Sequence, residues 1–358
     1  MSAPGAGRRP IFRPVRQEWL DRRREPILAP DLPIVDAHHH LWDQPVPGGR
    51  YLRDELLADL STGHRVVATV FMQGGAGYRA DGPEALRPVG ETEFVTGVTA
   101  RRAGGRGGPA HVCAGIVGWA DLRLGAPVQA VLEAHLAAGR GRFRGVRYVT
   151  VRDAAAHAYY GHPAGTLFDR PAGVLADPAF RAGFARLAPL GLSFDAALAH
   201  PQIPELTALA RAFPDTTIVL DHLGVPLGIG AYAGRRAAVL ADWAASLREL
   251  ATCPNVWVKL GGLGMTMTGF ALEDDPEPPS SARLATAWRP YVETAIEAFG
   301  AARCMFESNF PVDKAAYSYA VFWNACKRLA QGASATDQRA LFRGSAAQCY
   351  RLTLPPDA

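Results

Sequence analysis

The run Asp36-Ala37-His38-His39-His40 gathers three imidazoles and a carboxylate within five residues. It closes a short apolar run, Leu32-Pro33-Ile34-Val35, that reads as a buried strand. Side chains alternate along a strand, so His38 and His40 share a face with Ile34 and Asp36, while His39 points the other way. Two imidazoles on one face, two residues apart, reach a single divalent metal. An isolated pair of this kind more often packs and hydrogen-bonds at a strand end. What the rest of the chain places beside it decides between the two uses.

Eight short apolar runs can carry such residues, at 33–38, 66–72, 112–119, 144–150, 192–199, 217–222, 255–260 and 303–308. Most are rich in Val and Ile, and several lack strict alternation, as strands covered on both faces do. Amphipathic segments lie between them, clearest at 126–138, 178–188, 203–213, 235–251, 282–299 and 315–331. Asp177-Pro178 offers an N-cap followed by proline at the first helical position. This order predicts an α/β fold, a (β/α)8 TIM barrel, with a doubly wound open sheet as the runner-up. No repeat or linker splits the chain. The expected organisation is a tail and helix over 1–25, the helix around Trp19 and Leu20, then a single barrel domain over 26–358.

In such barrels the chemistry sits at the C-terminal ends of the strands. The first strand ends in His38 and His40, the second in Gln73, and the third in Trp119 and Asp121. The fourth supplies Arg147, Tyr148 and Arg152, the fifth His200, the sixth Asp221-His222, the seventh Lys259 and the eighth Glu307-Ser308-Asn309. Packing alone gives no reason to set four histidines on one rim, because unpaired polar groups at a core boundary cost free energy. Arg147 suits a bidentate grip on a substrate carboxylate, with a surface salt bridge as the plain alternative. Lys259 is either a cation of the barrel interior or the partner of a carboxylate such as Glu307. The long connections 152–176 and 261–281 are expected to cover the mouth, the first bringing His157, Tyr159, Tyr160 and His162. The glycine-rich stretch 102–108 reads as flexible rather than as a phosphate cradle.

Composition narrows the partners. The net charge is +4 with both signs interspersed, which asks for neither nucleic acid nor a membrane. The arginine-rich N-terminus is broken by Glu18, Asp21 and Glu25, unlike a transit peptide. No apolar secretory core or run of 18 apolar residues is present, and the five cysteines form no CxxC pair. A cytoplasmic protein with reduced thiols is expected, acting on a small organic substrate and compatible with a homo-oligomer.

These residues resemble the amidohydrolase-2 branch of the amidohydrolase superfamily of metal-dependent barrel hydrolases. The resemblance rests on Ile34–Asp43, Gly90-Glu-Thr-Glu-Phe94, Ile218-Val-Leu-Asp-His-Leu-Gly224, Val258-Lys-Leu-Gly-Gly262 and Met305-Phe-Glu-Ser-Asn-Phe-Pro-Val-Asp313. The branch includes sugar lactonases, 2-pyrone-4,6-dicarboxylate lactonase and, more distantly, decarboxylases. It implies that His38, His40 and His200 hold one divalent metal, zinc or manganese. It matches His222 to a histidine that binds metal or substrate. The chain departs from the pattern at the eighth strand, where the family's metal-binding, proton-accepting aspartate is Asn309. A neutral amide is no general base and a poorer ligand, which predicts a metal held weakly or not at all. Glu307, on the same face if alternation holds, or Asp313, if the loop folds back, would replace the charge. Restoring the ligand with Asn309→Asp should tighten metal binding.

The expected activity is opening of a small lactone by activated water. Candidate catalytic residues are His222, Glu307 and Asn309, and candidate substrate contacts are Arg147, Gln73 and Lys259. Decarboxylation on the same barrel, or ligand binding without turnover, are the alternatives.

Overall fold

A computed structural model describes residues 10–43, 49–99, 111–161 and 171–354. The tail before Pro10, His162 and the glycine-rich stretch lie outside the described residues. Eight parallel strands pair in chain order: β1 Ile34–His39, β2 Val66–Met72, β3 His111–Gly118, β4 Phe143–Val149, β5 Ser193–Ala197, β6 Ile218–Leu220, β7 Val256–Leu260 and β8 Cys304–Phe306. The sheet closes by side chain as much as by backbone. Asp36 accepts from Ser308 N at 2.9 Å, His40 N donates to Phe310 O at 2.7 Å, and Asn309 N donates to His38 O at 2.9 Å. The result is the expected (β/α)8 barrel.

Each expected helix forms. Asp177 caps Pro178–Phe184 by accepting from Ala179 N and Phe180 N. The C-terminal segments are Ile203–Ala212, Arg236–Ala251, Ser281–Phe299 and Tyr319–Leu329, and they pack a shared apolar layer onto the outer strand faces. Inside the barrel, Val35, Ala37, Val70, Met72, Val219 and Met305 form a second layer, sealed from below by Tyr350. All five cysteines are buried and unpaired.

β6 and β8 stop after three residues, shorter than their apolar runs. The polar residues that follow leave the strands to build the mouth. His222 and Leu223 take φ 56° and 57°, and Asn309 takes 55°. Left-handed backbone costs a non-glycine residue about 1–2 kcal/mol, so these turns persist because side-chain bonds hold them.

The mouth has its own small apolar cluster, with Ala156 and Tyr160 of the helix Ala154–Tyr160 packed on Val225, Leu227, Ile229 and Met267. Tyr160 Oη lies 2.6 Å from Thr266 Oγ1, joining the two long connections. The N-terminal segment straps down the second of them. Trp19 Nε1 donates to Pro276 O at 3.2 Å, Arg23 Nε to Pro278 O at 3.1 Å, and Ser281 N to Glu25 at 2.8 Å. Among the described residues, no helix is long and apolar enough to cross a membrane.

Candidate active site at the barrel mouth

The floor of the site is an ionic cluster. Lys259 Nζ, fully buried, donates to Asp195 Oδ2 at 2.8 Å and to Asp221 Oδ1 at 2.9 Å. Arg147 Nε takes the other oxygen of Asp221 at 2.9 Å, and Tyr350 Oη also donates to Asp195. Burial works against the ammonium, yet Asp195, Asp221 and Glu307 outweigh it and raise the Lys259 pKa. Lys259 is therefore a cation with its donors committed. The substrate contact expected of it is not available, and its partners are Asp195 and Asp221 rather than Glu307. Asp195 is not among the sequence candidates, although an acidic residue inside an apolar strand signals a buried cation nearby.

Above this floor the histidines converge. His38 Nε2 and His40 Nε2 are 3.1 Å apart. His40 Nδ1 lies 2.8 Å from Met72 O, an atom that only accepts, so the proton is on Nδ1 and Nε2 is bare. His222 Nδ1 lies 2.7 Å from Glu307 Oε1, which also accepts from His222 N at 3.1 Å, and the same logic puts a proton on His222 Nδ1. His38 Nδ1 lies 2.9 Å from Glu307 Oε2, off the line of a good hydrogen bond, and 3.3 Å from Lys259 Nζ. A proton on Nδ1 faces the carboxylate and leaves Nε2 bare, whereas a bare Nδ1 accepts the third Lys259 proton and turns an Nε2–H onto His40. Burial, and then the Lys259 charge, lower the His38 pKa to about 4, so the ring is neutral near pH 7. Burial alone would raise the Glu307 pKa, but His222 and His38 hold it well below the usual carboxylate range.

With the His38 proton on Nδ1, the two facing nitrogens 3.1 Å apart are both bare and repel unless a cation lies between them. Ligands at about 2.0–2.1 Å from zinc in tetrahedral array are separated by roughly 3.4 Å, so the pair fits a divalent ion. Glu307 behind His38 and Met72 O behind His40 are the orienting partners that such ligands need. His38, His222 and Glu307 also bring ligand atoms within 4.8 Å of one another. That alternative position faces the Lys259 ammonium, which disfavours a second cation there.

The glycines of the β7 loop make room for this. Gly262 has φ 70°, and a Cβ on it would sit 2.5 Å from His222 Cβ. Gly262→Ala is expected to cost about 1–2 kcal/mol of stability and to shift the His222 ring signals, readable by thermal unfolding and NMR.

At the far wall stands Glu91, which the sequence marks only as part of the Gly90–Phe94 motif. Its Oε1 accepts from Gly74 N, Gly75 N and Ala76 N at 3.0, 2.7 and 2.9 Å. That fixes the loop after Gln73, whose backbone oxygen accepts from Arg147 Nη1 at 3.1 Å. Trp42 stacks on His40 at 5.4 Å beside this loop. A family model described as Amidohydrolase matches residues 35–352, a span that holds every strand of the barrel.

The chain belongs to the amidohydrolase family.

Among its relatives, an uncharacterized Sinorhizobium fredii protein, y4mH, is 34% identical over 90% of this chain and 99% of its own length. An L-fucono-1,5-lactonase of Burkholderia multivorans is 29% identical, covering 90% and 98%. The crystal structure of a Burkholderia multivorans amidohydrolase with bound zinc is 27% identical, with a TM-score of 0.67, covering 89% and 99%. The structure brings His38, His40, His222, Glu307 and Arg147 together and gives His200 other partners. His200 Nδ1 accepts from Leu227 N at 3.2 Å, which places the ring proton on Nε2. In that tautomer His200 is a donor and not a metal ligand. Its ring packs on Tyr232 at 5.2 Å.

Proposed function

We propose that this amidohydrolase opens a small lactone ring with water. The carrying observation is the convergence of His38 Nε2 and His40 Nε2, 3.1 Å apart, beside a His222 ring whose Nδ1 is clamped by a carboxylate. The lactonase names of two relatives, 29% and 27% identical, support the choice of bond.

His38 and His40 would hold one divalent ion, zinc or manganese, which when bound polarises a carbonyl and acidifies water. His222 Nε2 takes the proton from the attacking water. Glu307, on Nδ1, fixes the tautomer and stabilises the imidazolium that forms, the role a buried carboxylate plays behind a catalytic histidine. His222 then returns the proton to the ring oxygen as the acyl bond breaks, and the ring-opened acid leaves. Arg147 Nη2 has no hydrogen-bond partner among the described residues and offers a donor to a polar group of the substrate. Gln73 sits at the same rim, its backbone held by Arg147.

A panel of sugar-derived and unsaturated lactones, followed with a pH indicator, tests the reading. Acid release from at least one lactone is expected. Carbon dioxide evolved from an acid substrate, with no lactone opened, would replace hydrolysis with decarboxylation. Elemental analysis of protein purified without chelator should find up to one zinc or manganese per chain, lost in His38→Ala. No metal after both ions are supplied would remove them from the proposal.

A further inference from the structure

After β8 the chain folds back on itself. Asn309 is 1% exposed and sits beside the histidine pair, its backbone N bonded to His38 O at 2.9 Å. Its Nδ2 donates to Asp313 Oδ1 at 3.0 Å, and Asp313 N returns a bond to Asn309 O at 3.2 Å. The other Asp313 oxygen accepts from Tyr317 Oη at 2.6 Å and from Gly264 N at 3.1 Å. Gly264 leaves no slack, since a Cβ there would meet Asp313 Cγ at 2.9 Å. Asp313 is fully buried and can reorient only by breaking all of these contacts.

An amide has two ends of similar shape and opposite polarity. With Asp313 fixed, one orientation pairs NH2 with carboxylate, a charge-assisted bond about twice as strong as a neutral one. The flipped orientation sets oxygen against oxygen when Asp313 is ionised, the state favoured by the three donors that meet its oxygens. Among the described residues no donor reaches Asn309 Oδ1.

We infer that Asp313 is a positioning residue that locks Asn309 with its NH2 turned inward and its carbonyl oxygen presented to the metal position beside His38 and His40. This rests on the hydrolase reading of the same site. The arrangement also revises an expectation from the sequence. Asn309→Asp alone sets two carboxylates about 3 Å apart in a sealed site, where both cannot ionise. It should not tighten metal binding unless Asp313 is neutralised with it.

Zinc affinity of metal-stripped protein, measured by competition with a chromophoric chelator, is the test, with thermal unfolding recorded in parallel. Asp313→Asn should weaken zinc binding 10- to 100-fold, the usual cost of losing an orienting partner. The exchange Asn309→Asp with Asp313→Asn keeps composition and charge, restores the amide–carboxylate pair, and should bind zinc more tightly than the wild type. Asn309→Ala should weaken zinc as much as Asp313→Asn does, and adding Asp313→Asn to it should change nothing further. Wild-type zinc affinity in Asp313→Asn, whatever its stability, would overturn the inference. So would an exchange variant no better than Asp313→Asn, or no zinc binding by the wild type. If Asp313→Asn does not fold, Asn309→Ala with unchanged affinity overturns it equally. Because no turnover is measured, a protein that behaves this way yet opens no lactone sinks the lactonase proposal alone.

Discussion

Glu307→Gln should lower turnover on the order of 100- to 10,000-fold while the barrel stays folded. The carboxylate faces His222 Nδ1 with one oxygen and His38 Nδ1 with the other, at 2.7 and 2.9 Å. Glutamine keeps the shape but replaces one acceptor with an NH2. Whichever ring meets that NH2 must move its proton to Nε2. If it is His38, the nitrogen facing His40 is no longer bare. If it is His222, the proton acceptor is gone. A buried carboxylate-to-amide change behind a catalytic histidine costs up to about 10,000-fold through this tautomer error. The defect is in where a proton sits, so raising the pH from 6 to 9 should not restore the rate. Steady-state kinetics over that range, with nitrogen-15 shifts of the two rings, give the answer. Near wild-type turnover with unchanged ring tautomers would leave Glu307 without a role in the chemistry.

How far the chain could be read without coordinates follows from which signals are local. The apolar run 192–199 and the segment 203–213 carry their own periodicity, and β5 and the helix Ile203–Ala212 formed inside those bounds. His38 and His40 converge, but strand alternation alone does not bring them there: Val35 and Ala37 line the interior in place of Ile34 and Asp36, and an irregularity between Asp36 and His39 shifts the register before the pair. The partners were not legible, because partners are long-range. Lys259 meets Asp195 from 64 residues away and Asp221 from 38, and no spacing rule names the pair. Tautomers were equally hidden. Residue type marks His200 as a ligand candidate, but the bond its ring accepts from Leu227 N depends on a backbone turn that residue type does not encode. The strand-8 charge was legible as a question, Glu307 or Asp313. Glu307 meets His222 and His38, whereas Asp313 meets Asn309, Tyr317 and Gly264 N, because strand alternation ends at Phe306 and Asn309 takes a left-handed turn.

Lys259→Met should cost about 3–5 kcal/mol near pH 7, the usual penalty for removing one partner of a buried ion cluster. Methionine matches the length of the lost chain and suits the apolar layer of Met72 and Met305 around it. Any loss therefore comes from charge more than from packing, and pH dependence separates the two. In the wild type the Asp221 pKa is held well below 3.8, chiefly by Lys259 against the pull of burial, and the Lys259 pKa lies above 10.5. A depressed carboxylate stabilises the fold above its unfolded pKa, and a raised ammonium does so below its own. The cluster's contribution is thus level from about pH 4 to 10 and falls away outside that window. Without the ammonium, Asp195, already raised by burial, is raised further. A carboxyl with a raised folded pKa is penalised as pH climbs past its unfolded value, and the penalty fades as the pH returns toward it. The stability gap between Lys259→Met and the wild type should be widest near neutrality and narrow steadily toward pH 4. Urea unfolding at several pH values gives that gap directly. A constant gap across the range would mean that Lys259 matters for its volume and not for its charge.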